Sequence, residues 1–302
     1  MLREKDPWHS VPEDKHLDFN VIGEHLRSLA EATINKLERE WPDRFAHIEG
    51  AQVLFRLLTI LAATTFETIK YFCADKREDP FRKISFVSSS PPLLRSMVDG
   101  IYTVVFLGED LEKRVPWYYQ AGWREIAERH ATYEVRYGAD EAWKEWLENQ
   151  REFLQATRVE WGVTEHDAGN LKSIGRWPTP GQMTRVKEIS PESKKFFEYL
   201  EAWFYRELSQ QTHLTFPGLS YRGGTFLRKK DDPLRESEWL KKRSDSVGYA
   251  VVLLLAFLTE INHLGRFELD QRIAFLWGVL REYFGVAEEL LTERYKILLE
   301  PS

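Results

Sequence analysis

The chain has 302 residues, 43% hydrophobic and 30% charged, a globular composition long enough to bury a sizeable core. A formal net charge of −6 excludes a surface coated in positive charge for duplex nucleic acid, though it leaves room for a local basic patch. The single cysteine, Cys73, excludes an intrachain disulfide and any multi-cysteine zinc site, and it suits a reducing, cytoplasmic compartment.

Residues 1–15 are polar, without the apolar run of a signal peptide, and read as a loose arm. Residues 16–302 then read as a single helical domain. A long helix is expected from about Leu17 to Trp41, with Phe19, Ile22, Leu26, Leu29, Ile34 and Leu37 at helical spacing and Pro42 as its stop. A second spans roughly Phe45 to Cys73 and leaves Cys73 as a buried, inert thiol. The run DKREDPFRK reads as a charged turn. Ser and Pro residues then open a helix that reaches about Leu107.

Helices follow over Glu112–Tyr137, ended by Gly138, and over Asp140–Trp161, closed at Gly162. Residues 163–189 form the longest irregular stretch. Ser190 as N-cap and Pro191 at the first helical position restart helix, and TFPGLSYRGG breaks it. GGTFLRKK could form a short extended piece. Three helices fill the rest, at about 235–264, 267–284 and 286–298. The run from Val247 to Leu258 is too short to span a membrane and reads as a buried central helix. No repeat, linker or convincing strand interrupts the pattern. The fold class predicted is therefore all-α, one large bundle of about eight or nine helices, its aromatic residues mainly filling the core.

Four constellations could carry chemistry. Arg206, Ser209 and His213 are spaced to share one helix face, nearly opposite the apolar face of Phe197, Leu200, Phe204 and Leu208. Arginine stabilises anionic oxygen and histidine moves protons near neutral pH, which together suit phosphate chemistry. The same trio also reads as a solvated face. Arg95 and Asp99, four apart on an otherwise apolar helix, read either as an internal ion pair or as the lining of a polar pocket.

Glu260-x-x-His263 is one half of a di-metal pattern. Its only counterpart, Glu13-x-x-His16, falls in the arm, so no metal site and no cofactor is expected. The acids of the loop TEHD read as solvated. Finally, Arg222 to Arg243 mixes basic residues with Tyr221, Phe226 and Trp239. This composition suits single-stranded nucleic acid or a solvated connector. Phosphate-binding glycine loops and nucleophile elbows are missing from the sequence.

Three segments, LLRSMVDGIYTVVFL, RWPTPGQM and FYRELSQQTHLTFPG, resemble in order a broad bacterial family of helical proteins of unassigned activity. That family carries an Arg-Ser-x-x-acid helix, a Trp-Pro loop and a Tyr-x-x-x-Ser-x-x-x-His helix, the last matched here by Tyr205, Ser209 and His213. The resemblance covers residues 90–220. It implies that the three segments meet in one polar pocket, with Arg95, Asp99 and Tyr205 as ligand-binding residues.

Arg206 to His213 is also similar to the Arg-x4–6-His motif of HEPN ribonucleases, in which two copies meet across a dimer and cut RNA without metal. That likeness implies Arg206, Ser209 and His213 as the catalytic set, RNA as substrate, a homodimer, and a role in bacterial stress or defence. Glu207, an acid, stands where that family often has a polar residue right after the Arg. The other reading is a non-enzymatic scaffold that recognises a protein partner or small ligand.

Overall fold

The computed structural model describes residues 18–74, 87–213, 216–229 and 232–299. The arm over 1–15, with Glu13 and His16, and the charged turn DKREDPFRK lie outside the described residues. Among those described there is no strand, and the all-α class holds.

Helix α1 (Phe19–Arg39) begins where the Asp18 carboxylate accepts the Asn20 N–H at 2.8 Å, and it buries Ile22, Leu26, Leu29 and Leu37. It ends three residues before Pro42, because proline disfavours helix in the residue ahead of it. Helix α2 (Ala51–Ala74) starts later than the expected Phe45. A 3₁₀ turn (Asp43–Phe45) and Gly50 at φ 75 intervene. A Cβ on Gly50 would stand 2.8 Å from the Tyr119 ring, so glycine is required there twice over.

Helix α3 (Ser90–Glu109) opens on Pro91 and Pro92. Helices α4 (Leu111–Tyr137) and α5 (Glu141–Glu160) form a hairpin around Gly138. The hairpin has a small core of its own, where Trp123 Nε1 donates to the Leu154 carbonyl at 3.0 Å.

The stretch expected to be irregular holds two short helices, α6 (Glu165–Gly169) and α7 (Pro180–Met183), and a 3₁₀ turn over Leu171–Ser173. Caps make them: Thr164 accepts the Asp167 N–H, and Thr179 and Gln182 form a capping box. They are too short to display a period.

Helix α8 runs as Pro191–Leu200, a π-helical turn over Glu201–Tyr205, and Arg206–Thr212. Ser190 caps it by accepting the Ser193 N–H at 3.1 Å. The expected break after it is a helix instead, α9 (Phe216–Leu227). Gly218 is no breaker here. A Cβ at Gly218 would lie 2.2 Å from the Gln210 carbonyl oxygen and 2.4 Å from that of His213, so its glycine lets α9 lie against the end of α8.

Helix α10 (Pro233–Gly265) is the axis of the molecule. Ala250 to Ile261 is buried on every side, against α1, α2, α3 and α11 (Asp270–Leu280). Helix α12 continues from Gly285–Leu290 through a second π turn, Leu291–Tyr295, to Lys296–Leu299. Joined through their π turns, these make twelve helices among the described residues, more than the eight or nine expected.

By length and composition α2 and α10 could each cross a membrane, which the run Val247–Leu258 taken alone did not suggest. The apolar stretch of α10 is 83% buried in protein, that of α2 only 33%. Cys73, on the last turn of α2, is buried, and burial pushes its thiol up to about 12.

Candidate functional site

Six residues of α8, Glu201, Tyr205, Arg206, Ser209, Gln210 and His213, line an open depression of about 310 Å³. The π turn brings them into line. Its defining bond runs from the Arg206 N–H to the Glu201 carbonyl, five residues back. This stacks Glu201 beneath Arg206, which α-helical spacing does not do. The two side chains pair at 3.8 Å, with Arg206 70% and Glu201 38% exposed, so the pair itself adds little stability. Glu201 and Gln210 were absent from the sequence-derived set. The signal for Glu201 was a five-residue spacing that has no meaning in an unbroken α-helix.

His213 ends the helix in an extended conformation, with its backbone N–H bonded to the Ser209 carbonyl at 3.1 Å. Its imidazole is exposed and makes no hydrogen bond or ion pair among the described residues. His213→Ala is therefore expected to change the unfolding free energy by no more than about 0.5 kcal/mol in urea titration. A loss of about 1–3 kcal/mol would instead identify a hydrogen-bond node.

Glu207, the acid next to Arg206, does not line the depression. Its carboxylate accepts from Gln211 Nε2 at 3.0 Å.

Arg95 and Asp99 back the site rather than line it. The Arg95 guanidinium lies 3.2 Å from the centroid of the Tyr205 ring, and its Nε donates to Asp99 at 3.1 Å. Partial burial raises the Asp99 carboxyl above its ordinary range, against the pull of Arg95. Tyr205 also meets the ring of Tyr102 edge-on at 6.0 Å, and buried Tyr102 donates to the Phe197 carbonyl at 2.8 Å. Two of the three resembling segments thus converge on Tyr205. The Trp-Pro loop does not join them. Trp177 packs instead against Phe106, Trp117 and Tyr118, further along α3 and on α4, where its large ring finds aromatic neighbours at 4.8–5.4 Å.

The other candidates are occupied by structural duties. Glu260 is bound by Arg294 and is not free beside the exposed His263. Asp167 accepts from the hydroxyls of Thr164 and Ser173 at 2.6 and 2.5 Å, which hold its carboxyl below the usual range. In the basic stretch, Arg228 is paired with Asp232 at 3.2 Å and with Glu238. Buried Trp239 lies 5.5 Å from the Arg243 guanidinium. Lys230 and Asp231 lie outside the described residues. Among the described residues no three His, Cys, Asp or Glu side chains converge as a metal site would require.

A buried polar cluster escaped the sequence reading. Arg294 donates through Nε and Nη2 to Glu260, the latter at 2.9 Å, and through Nη1 to Ser193 at 3.3 Å. The Ser193 hydroxyl donates to Glu109, which also receives the Ser190 hydroxyl at 2.6 Å and N–H at 2.9 Å. Burial raises the Glu109 carboxyl, but these donors outweigh it and hold the group below its ordinary value.

The chain matches no protein-family model, no curated protein and no solved structure.

Proposed function

We propose that the depression on α8 binds the phosphodiester backbone of single-stranded RNA and that the chain is a metal-independent ribonuclease of HEPN type, cytoplasmic and serving bacterial stress or defence. One observation supports this above the rest: Arg206 and His213 are both exposed and line the same open depression, with Ser209 between them. In this reading His213 takes the proton of a ribose 2′-hydroxyl as its oxygen attacks the adjacent phosphorus. The bond to the 5′-oxygen breaks, the imidazolium returns the proton to that oxygen, and a 2′,3′-cyclic phosphate remains. Arg206 offsets the charge that builds on the phosphoryl oxygens. Ser209 donates to the same group. Arg95 and Asp99 hold Tyr205 as one wall.

A second reading, a non-enzymatic scaffold, is favoured by a different observation. Helix α2 presents an apolar face to solvent, with Leu57 and Leu61 each more than half exposed.

The test is to incubate the purified protein with mixed single-stranded RNA in EDTA, beside Arg206→Ala and His213→Ala. Cleavage to cyclic-phosphate ends is expected, with losses of about 100-fold or more in the His213 variant. Intact RNA in every tube would discard the ribonuclease and leave the scaffold.

A further inference from the structure

The residues that line the depression on α8 make opposing demands on a ligand. Arg206 and His213 suit a phosphate, whereas the Glu201 carboxylate repels one. A carboxylate only accepts hydrogen bonds, through two oxygens side by side. Nothing else in the protein uses this one. Its approach to Arg206, at 3.8 Å, is too long for a hydrogen bond, and its oxygens accept none among the described residues. Glu207 differs in this respect, since Gln211 already donates to it. A ligand that fits the whole depression therefore carries donors as well as a phosphate.

Tyr205 stands on the same π turn as Glu201. The Arg95 guanidinium holds its ring from behind, 3.2 Å from the centroid. Arg95 does not line the depression and Tyr205 does, so the open side of the ring belongs to the site. An aromatic ring beside a hydrogen-bonding group is how single-stranded bases are held: stacking supplies affinity and the base edge supplies identity. Among the four RNA bases only guanine offers a carboxylate two adjacent donors, its N1–H and N2–H. Adenine and cytosine set an acceptor beside their amino group, and uracil flanks its one N–H with two carbonyls.

The order along α8 agrees with this. Glu201 and Tyr205 come first, then Arg206 and Ser209, then His213, about 18 Å from Glu201 at α-helical rise. A nucleotide laid along the helix with its base at the Glu201 end carries its 3′-phosphate toward Arg206 and His213. A volume of about 310 Å³ lies at the small end of ligand sites and suits one nucleotide.

We infer that the depression reads guanine: Tyr205 stacks the base on the 5′ side of the scissile phosphate, and the Glu201 carboxylate accepts from its N1–H and N2–H. The inference rests on the ribonuclease reading for its phosphate, but the base contacts can be measured without cleavage.

Isothermal titration calorimetry of the full chain with guanosine, adenosine, cytidine and uridine 3′-monophosphates tests it, with circular dichroism confirming that each variant keeps its helices. The guanosine nucleotide is expected to bind at least about tenfold tighter than the other three. Glu201→Gln should abolish that preference, and Tyr205→Ala should weaken all four nucleotides. On mixed single-stranded RNA, the new 3′ ends made by the wild type should carry guanosine, and those made by Glu201→Gln should spread to other bases. Equal or absent binding of the four nucleotides would overturn the inference. So would a guanine preference that survives Glu201→Gln, or wild-type cleavage after all four bases alike. Guanine-selective binding with the RNA left intact would uphold the base site and discard the ribonuclease.

Discussion

Glu260→Ala is expected to lower the unfolding free energy by about 3–5 kcal/mol, because it strands the Arg294 guanidinium inside the protein. Glu260 is 5% exposed and Arg294 14%. Burial alone would lower the affinity of Arg294 for its proton, yet the Glu260 carboxylate prevails and holds it above the ordinary value. The cation also lies 4.9 Å from the centroid of the Phe196 ring, and that ring cannot replace a carboxylate. Urea titration of Glu260→Ala, Arg294→Met and the pair Glu260→Leu with Arg294→Met checks the account. Each single change should cost several kcal/mol, and the double change should recover most of the loss, since it removes both charges from the interior. A single-variant loss under about 1 kcal/mol, the range of exposed ion pairs, would show that water reaches the site.

Phe257→Ala should cost a similar amount, about 3–5 kcal/mol. The ring sits on the fully buried stretch of α10, 1% exposed, and faces Gly100 of α3. A Cβ on Gly100 would stand only 3.6 Å from it. Gly100 has no side chain of its own to move into the space the ring would leave, which places the loss toward the upper end of that range. Phe257→Met keeps more of the volume and should lose less. Phe275, 62% exposed on α11, is the control: its alanine variant should stay within about 0.5 kcal/mol of wild type. Equal losses at the two positions would contradict the placement of α10 at the axis of the core.

The long helices were legible because burial writes a period into them. Ile22, Leu26, Leu29 and Leu37 mark the inner face of α1, and the unbroken run after Val247 marks a helix buried on all sides. Short helices carry no such record. Helices α6 and α7 are held by caps, and α9 was taken for a break because the close packing of Gly218 looks, in sequence, like a turn. The face shared by Arg206, Ser209 and His213, and its opposition to Phe204 and Leu208, was legible from spacing. Glu201 was not, because the π turn departs from that spacing. The union of Glu260 with Arg294, 34 residues apart, was beyond any local pattern. It depends on how α10 and α12 meet.

The π turn of α8 has a consequence for how this chain can change over time. Leu200, Phe204 and Leu208 recur every four residues, a rhythm that would drift around an ordinary α-helix, and the wider turn absorbs the surplus residue. Deleting one residue between Glu201 and Tyr205 would rotate everything downstream by about 100° and swing the polar face of Arg206 and His213 toward the interior. Amino-acid exchanges on the surface of α8 can be accommodated one at a time, whereas an insertion or deletion there shifts the phase of the whole face at once. In this segment the number of residues is under tighter constraint than their identity.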